Sequence, residues 1–222
     1  MTENEQIKLT KKRWMILFSS CLINLCIGSL YVWSVFAGPM AAHLTEILGQ
    51  ELTAANLAIV FSIGNSFGFV TMIGGGFLNQ KLGVRRVVFL GGILFGIGFV
   101  ICGFAQNVSG LVIGYGLVAG LAMGLAYGCT ISNSVKFFPD KAGLVGGIAT
   151  ASYGISSVIL PPVANALIDQ VGVSKAFFVL WNCDHLYYRN FFAVYDKMPG
   201  RFCSGRVSEF CEKCGENSRR KR

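Results

Sequence analysis

Charge is what this sequence has least of. Only 14% of its 222 residues are Asp, Glu, Lys or Arg, against 53% apolar and a mean hydropathy of +0.57. A soluble domain carries about 25% charged residues, so this is a membrane protein. The first 180 residues hold no Ser/His/Asp set, no carboxylate pair inside an apolar run and no phosphate-cradling loop after a strand. No enzyme reading competes, and no cofactor or metal is expected. The net charge of +8 could suggest nucleic acid as a partner. The cations up to residue 180 sit at the ends of apolar runs, however, where membrane topology accounts for them, so no nucleic-acid partner is expected. Cys21, Cys26, Cys102 and Cys129 fall inside those runs, where a thiol behaves as a small hydrophobe and says nothing about redox compartment.

What is present is a series of runs long enough to cross a membrane, for which roughly 20 residues suffice. They are expected at about 14–40, 54–78, 87–105, 111–135 and 144–168, with a sixth beginning at 176. Residues 1–13, with Lys8, Lys11, Lys12 and Arg13, precede a run too long for the core of a signal peptide and without a clear cleavage site. Lys81, Arg85 and Arg86 after the second run, and Lys136 and Lys141 after the fourth, fall on the same side as that tail if the spans alternate. Cations resist translocation. The expectation is a multi-pass protein of the cytoplasmic cell membrane, in contact with membrane lipid, its N-terminal tail cytoplasmic. Gly38-Pro39 is expected to end or bend the first span, and residues 41–53, with His43, Glu46 and Glu51 but no cation, to form an outer loop.

Polar residues within the spans are ordered. Ser20, Asn24, Gly28, Tyr31 and Ser34 recur at three or four, which puts them on one helix face. That face is either the wall of an aqueous cavity or a small-residue packing seam. Gly64 and Gly68 in the second span are four apart, and Gly116, Gly120, Gly124 and Gly128 in the fourth keep strict four-residue intervals, a stripe along which another helix can lie almost backbone to backbone. Tyr127, Thr130 and Ser134 form a polar row beside it. Hydroxyls such as the last two often bond back to their own helix, which leaves Tyr127 as the functional candidate. The fifth span carries Gly146, Thr150 and Gly154 with Tyr153, Ser156 and Ser157 alongside, then Pro161-Pro162, where a kink or broken turn is expected.

The stretch Gly76, Gln80, Lys81, Gly83, Val84, Arg85, Arg86 resembles the loop signature G-x-x-x-D-[RK]-x-G-[RK]-[RK] between the second and third helices of the major facilitator superfamily. Gln80 stands where the family usually has an acidic residue, and Val84 where a cation is common. Leu30-Tyr31-Val32-Trp33-Ser34-Val35-Phe36, Gly124-Leu125-Ala126-Tyr127 and Lys136-Phe137-Phe138-Pro139-Asp140-Lys141 are similar, over about residues 13–180, to the oxalate/formate antiporter family within it. The resemblance implies an all-α polytopic membrane fold, the amino-terminal six-helix bundle of a major facilitator protein with its sixth helix truncated. It implies secondary active transport of small carboxylate anions by alternating access between two bundles. Tyr31 and Tyr127 match pocket-lining positions whose hydroxyls can donate to a carboxylate, and Trp33 is a candidate steric wall. With Asn24 and Tyr153 they make the candidate substrate-binding set. Gly76, Gln80, Lys81, Gly83, Arg85 and Arg86 are the candidate gating loop, in which Gln80 removes the carboxylate that would join a closing charge network.

The family's charged anion-binding residues belong to its second bundle, so a partner C-terminal half is missing and the chain alone is expected to be inactive. Residues 181–222 are polar where the sixth span should continue. Back-translated from Trp181 and read one base later, they can encode an apolar string, and an out-of-frame origin is therefore expected. Two rival functions remain. One is a small membrane protein whose tail, with Cys203, Cys211 and Cys214 and either Cys183 or His185, binds metal or a partner, Cys211 and Cys214 having the spacing of a zinc knuckle. The other is a half-size carrier that dimerises.

Overall fold

The computed structural model describes residues 3–182, and among them every regular element is helical. The first span begins as an α-helix, Glu3–Ile27, tightens into a 3-10 turn, Gly28–Val32, and resumes as Trp33–Leu48. The second is Ala58–Leu82 and the third Val84–Gly103. The fourth starts with Val108–Leu111, widens into a π-helical segment, Val112–Ala119, and continues as Gly120–Phe137. The fifth is Ala142–Val171, and a further helix over 173–182 begins the sixth. Five of these are long and apolar enough to cross a membrane.

The glycine stripe of the fourth span does what its spacing predicts. A methyl group on Gly116 would meet the carbonyl oxygen of Val60 at 3.2 Å, one on Gly120 that of Gly64 at 2.5 Å, and one on Gly128 that of Met72 at 3.0 Å, while one on Gly124 would overlap the carbonyl of Gly68. The second and fourth spans therefore touch along their backbones at four successive glycines, a contact only hydrogen side chains permit. Gly98 of the third span meets the fourth in the same way, a methyl on it falling 2.7 Å from the carbonyl oxygen of Gly114. The first span packs instead on the fifth, where a methyl on Gly28 would overlap Ser156. Phe177 of the 173–182 helix enters the core, 4.2 Å from Phe36 and 5.8 Å from Phe99 between ring centroids.

Several boundaries differ from expectation. Pro39 neither ends the first span nor opens a loop: the helix runs on to Leu48, carrying His43 and Glu46, and stops where Gly49 turns left-handed at φ 64°. Thr45 secures that end, its hydroxyl donating to the Ala41 carbonyl at 2.8 Å and accepting from the Leu52 amide at 3.0 Å. The second span starts at Ala58 rather than near 54, because Asn56 accepts from both the amide and the hydroxyl of Thr53 and holds that stretch as a turn. The fifth helix runs through Pro161 and Pro162 without a break, an accommodation that membrane helices make where neighbours satisfy the freed carbonyls.

The basic connector is not a loop. Lys81 lies in the last turn of the second span and Arg85 and Arg86 in the first turn of the third, with Gly83 alone between the helices at φ 80°, ψ 149°, a conformation that essentially only glycine adopts. At the same end of the bundle Arg13 pairs with Asp140 and lies 4.4 Å over the ring of Phe138, whose edge Trp14 also meets. The out-of-frame and zinc readings of the tail concern residues outside those described.

Candidate functional site

The 3-10 turn decides where Tyr31 points. It has three residues per turn, so side chains at i and i+3 eclipse, and Tyr31 lies directly over Gly28 on the side facing the fifth span. There its ring meets Tyr153, with centroids 5.0 Å apart and planes at 56°. Tyr127 of the fourth span approaches the same Tyr153 at 4.6 Å, and Phe61 of the second span lies 6.4 Å from Tyr31. Tyr153 is buried between its two partners, and Tyr31 and Tyr127 are half-buried. Three phenols and one phenyl, from four different spans, thus converge on one point.

Chemically this is a cluster of neutral hydrogen-bond donors in an apolar wall. Each phenol can donate one hydrogen bond and accept others. The nearest cations along the chain are Arg13, Lys81, Arg85, Arg86 and Lys136, at span ends. The site can therefore orient an anion but does not itself supply a positive charge to offset that anion's desolvation.

Asn24 belongs to the layer beneath and is fully buried. Its amide donates to the Ala149 carbonyl of the fifth span at 3.1 Å, and its oxygen accepts from the hydroxyl of Thr130 of the fourth at 2.6 Å. It ties three spans together, so its polar row serves packing at this level. Thr130 and Ser134 also bond back, to the carbonyls of Tyr127 and Thr130 respectively, as their position suggests. Among the described residues, Trp33 makes no ring contact with Tyr31, Tyr127 or Tyr153. Its buried ring meets Tyr115 instead, with centroids 4.5 Å apart and planes tilted at 44°.

The residues read as a gating loop, Gly76, Gln80, Lys81, Gly83, Arg85 and Arg86, are not part of this cluster but lie at and around the junction of the second and third spans. Two residues of the neighbourhood carried no sequence signal of function. Phe61 looks like any aromatic in an apolar run, and Tyr115, flanked by Gly114 and Gly116, is hidden within the glycine stripe.

The family model described as Major Facilitator Superfamily matches residues 11–181. The uncharacterised MFS-type transporter YhjX of Escherichia coli is 34% identical over 172 residues, covering 77% of this chain and 41% of that protein. The oxalate:formate antiporter of Oxalobacter formigenes is 31% identical over 170 residues, covering 76% and 39%. Monocarboxylate transporter 12 of Mus musculus is 27% identical over 168 residues, covering 75% and 33%. The chain thus spans about two-fifths or less of the length of the curated relatives it matches. The glycine-seamed second and fourth spans fall within the matched stretch, and the chain belongs to the Major Facilitator Superfamily.

Proposed function

We propose that this chain is the amino-terminal half of a secondary active transporter that moves small carboxylate anions by alternating access, and that the half alone does not transport. The observation that carries this reading is the meeting of Tyr31, Tyr127 and Tyr153 from the first, fourth and fifth spans. Phenol donors suit a carboxylate, because a hydrogen bond to an ionised acceptor is about twice as strong as one between neutral groups. A buried carboxylate also needs a counter-charge, and the wall described above has none, so the cation comes from a second bundle. Named relatives that exchange oxalate for formate or carry monocarboxylates agree with this substrate class. Cations gathered at one end of the spans support a cell-membrane protein whose N-terminus and Gly83 junction face the cytoplasm.

The test is uptake of labelled formate and oxalate into proteoliposomes. The chain alone is expected to give none. Co-assembled with the carboxyl-terminal remainder of the Oxalobacter formigenes antiporter, it is expected to restore uptake. Replacing Tyr127 by Phe should then lower apparent affinity about tenfold, since a hydrogen bond to a charged group contributes about 1.5 kcal/mol or more. Uptake by the chain alone would instead support a dimerising half-size carrier. Wild-type affinity after replacing all three tyrosines by Phe would refute the site.

A further inference from the structure

The first span changes its winding at one place, Gly28–Val32, and that place is held from two sides. On the side of the fifth span, Gly28 is pressed against Ser156, whose hydroxyl donates to the Tyr153 carbonyl at 2.6 Å. On the side of the fourth span, the buried hydroxyl of Tyr115 donates to the carbonyl of Leu30. That carbonyl also accepts from the amide of Trp33, the i to i+3 bond that defines the tighter winding. Tyr115 itself sits in the π-helical segment Val112–Ala119 and is fixed by Trp33 at 4.5 Å and Phe99 at 5.8 Å.

Winding angle sets the direction of every side chain on the turn. A 3-10 helix advances about 120° per residue and an α-helix about 100°, so a change of winding here would redirect Tyr31 by tens of degrees. That is enough to take its ring off Tyr153. In a 3-10 turn Leu30 and Tyr31 are neighbours on different sides, one carbonyl toward the fourth span and one phenol toward the fifth. The second bond from Tyr115 favours only the arrangement in which both are met.

We propose that Tyr115 is a positioning residue for the anion site: its hydroxyl holds the Gly28–Val32 turn in its tight winding and so aims the phenol of Tyr31 at Tyr153. This rests on the transport reading above for its functional consequence, though not for its structural one. Trp33 is then the buttress behind Tyr115 rather than a wall of the pocket.

Tyr115→Phe keeps the ring and its packing and removes only the bond. In the full chain in lipid nanodiscs, amides of residues 31–34 are expected to exchange hydrogen about tenfold faster, while those of Val84–Gly103 keep wild-type protection. Unchanged exchange at 31–34, or a rise spread equally over the third span, would overturn the proposal. In the co-assembled carrier, Tyr115→Phe is expected to raise KM for formate about as much as Tyr31→Phe does, leaving kcat within about twofold. The double variant is expected to be no worse than Tyr31→Phe alone, because two residues that act through one group are not additive. Additive losses would overturn the link to Tyr31. If Tyr31→Phe by itself leaves KM unchanged, the anion-site reading fails, and the exchange measurement still decides the role of Tyr115.

Discussion

Gly120→Ala is the sharpest test of how the bundle is held together. The added methyl would stand 2.5 Å from the carbonyl oxygen of Gly64, 2.8 Å from its Cα and 3.0 Å from its carbonyl carbon. Ordinary contact begins at 3.4 Å, so relief requires the second and fourth spans to part by about 0.9 Å at this level, since backbone atoms, unlike side chains, cannot rotate aside. A gap of 0.5–1 Å forfeits about a quarter to a half of each dispersion well that it opens. Overpacking of this kind costs about 1–3 kcal/mol, against which the better helix propensity of Ala returns up to about 1 kcal/mol. The net expectation is a loss of about 1–2 kcal/mol. Gly74→Ala is the control: it lies in the interior of the second span with nothing within 4 Å of the added methyl, so only the propensity gain remains. Reversible unfolding in mixed micelles of dodecyl sulfate and a mild detergent, followed by far-UV circular dichroism, measures both. Equal stability of the two variants, or a Gly120→Ala chain more stable than wild type, would show that the backbone seam is not what joins these spans.

Three further outcomes are expected. Asn24→Ala should destabilise the bundle by about 1 kcal/mol in the same unfolding assay, because the Ala149 carbonyl loses a donor from outside its own helix and Thr130 one of its acceptors; an unchanged midpoint would exclude the three-span tie. Gly83→Ala should cost about 1–3 kcal/mol in the same unfolding assay, as its φ of 80° is outside the reach of an L side chain, whereas Gly147→Ala, at an open helical position with ordinary φ, should gain up to about 1 kcal/mol from helix propensity. A double-mutant cycle on Arg13 and Asp140, whose carboxylate side is nearly half exposed, should give a coupling of about 0.2–1 kcal/mol that shrinks as salt rises from about 0.05 M to about 0.5 M. No coupling, with a loss on replacing Arg13 alone, would mean that Arg13 acts through its contact with Phe138 instead.

Features that depend on local spacing were legible in the sequence, and features that depend on partners were not. The four glycines from Gly116 to Gly128 announce a backbone seam because their interval is that of a helix face, and Gly64 and Gly68 supply the matching surface. Tyr31 and Tyr127 came with the family resemblance. Their meeting place is Tyr153, a member of the candidate set whose contact with both the sequence does not show, since it reads there as a polar neighbour of a glycine stripe. Asn24 reads equally as cavity wall or packing, and only the positions of Ala149 and Thr130 choose between them. At the end of the first span glycine outweighs proline: Pro39 is absorbed, while Gly49, in the left-handed region, is the actual stop. Cations next to glycines suggested a loop at 76–86, yet helical hydrogen bonding continues to Leu82 because a single residue with a positive φ is sufficient to turn the chain. The 3-10 turn has no composition signal, since its cause lies in Tyr115 and Ser156, each more than eighty residues away.

The Gly83 junction carries a mechanical implication. Two long rods joined by one residue, and each pressed against the same third rod by bare backbone, have almost no freedom to slide past one another. Whatever displacement reaches the tip of either rod must swing all three as a slab, leaving the first and fifth spans, bound to that slab through side chains such as Trp33 on Tyr115 and Tyr153 on Tyr127, as the leaf that can tilt.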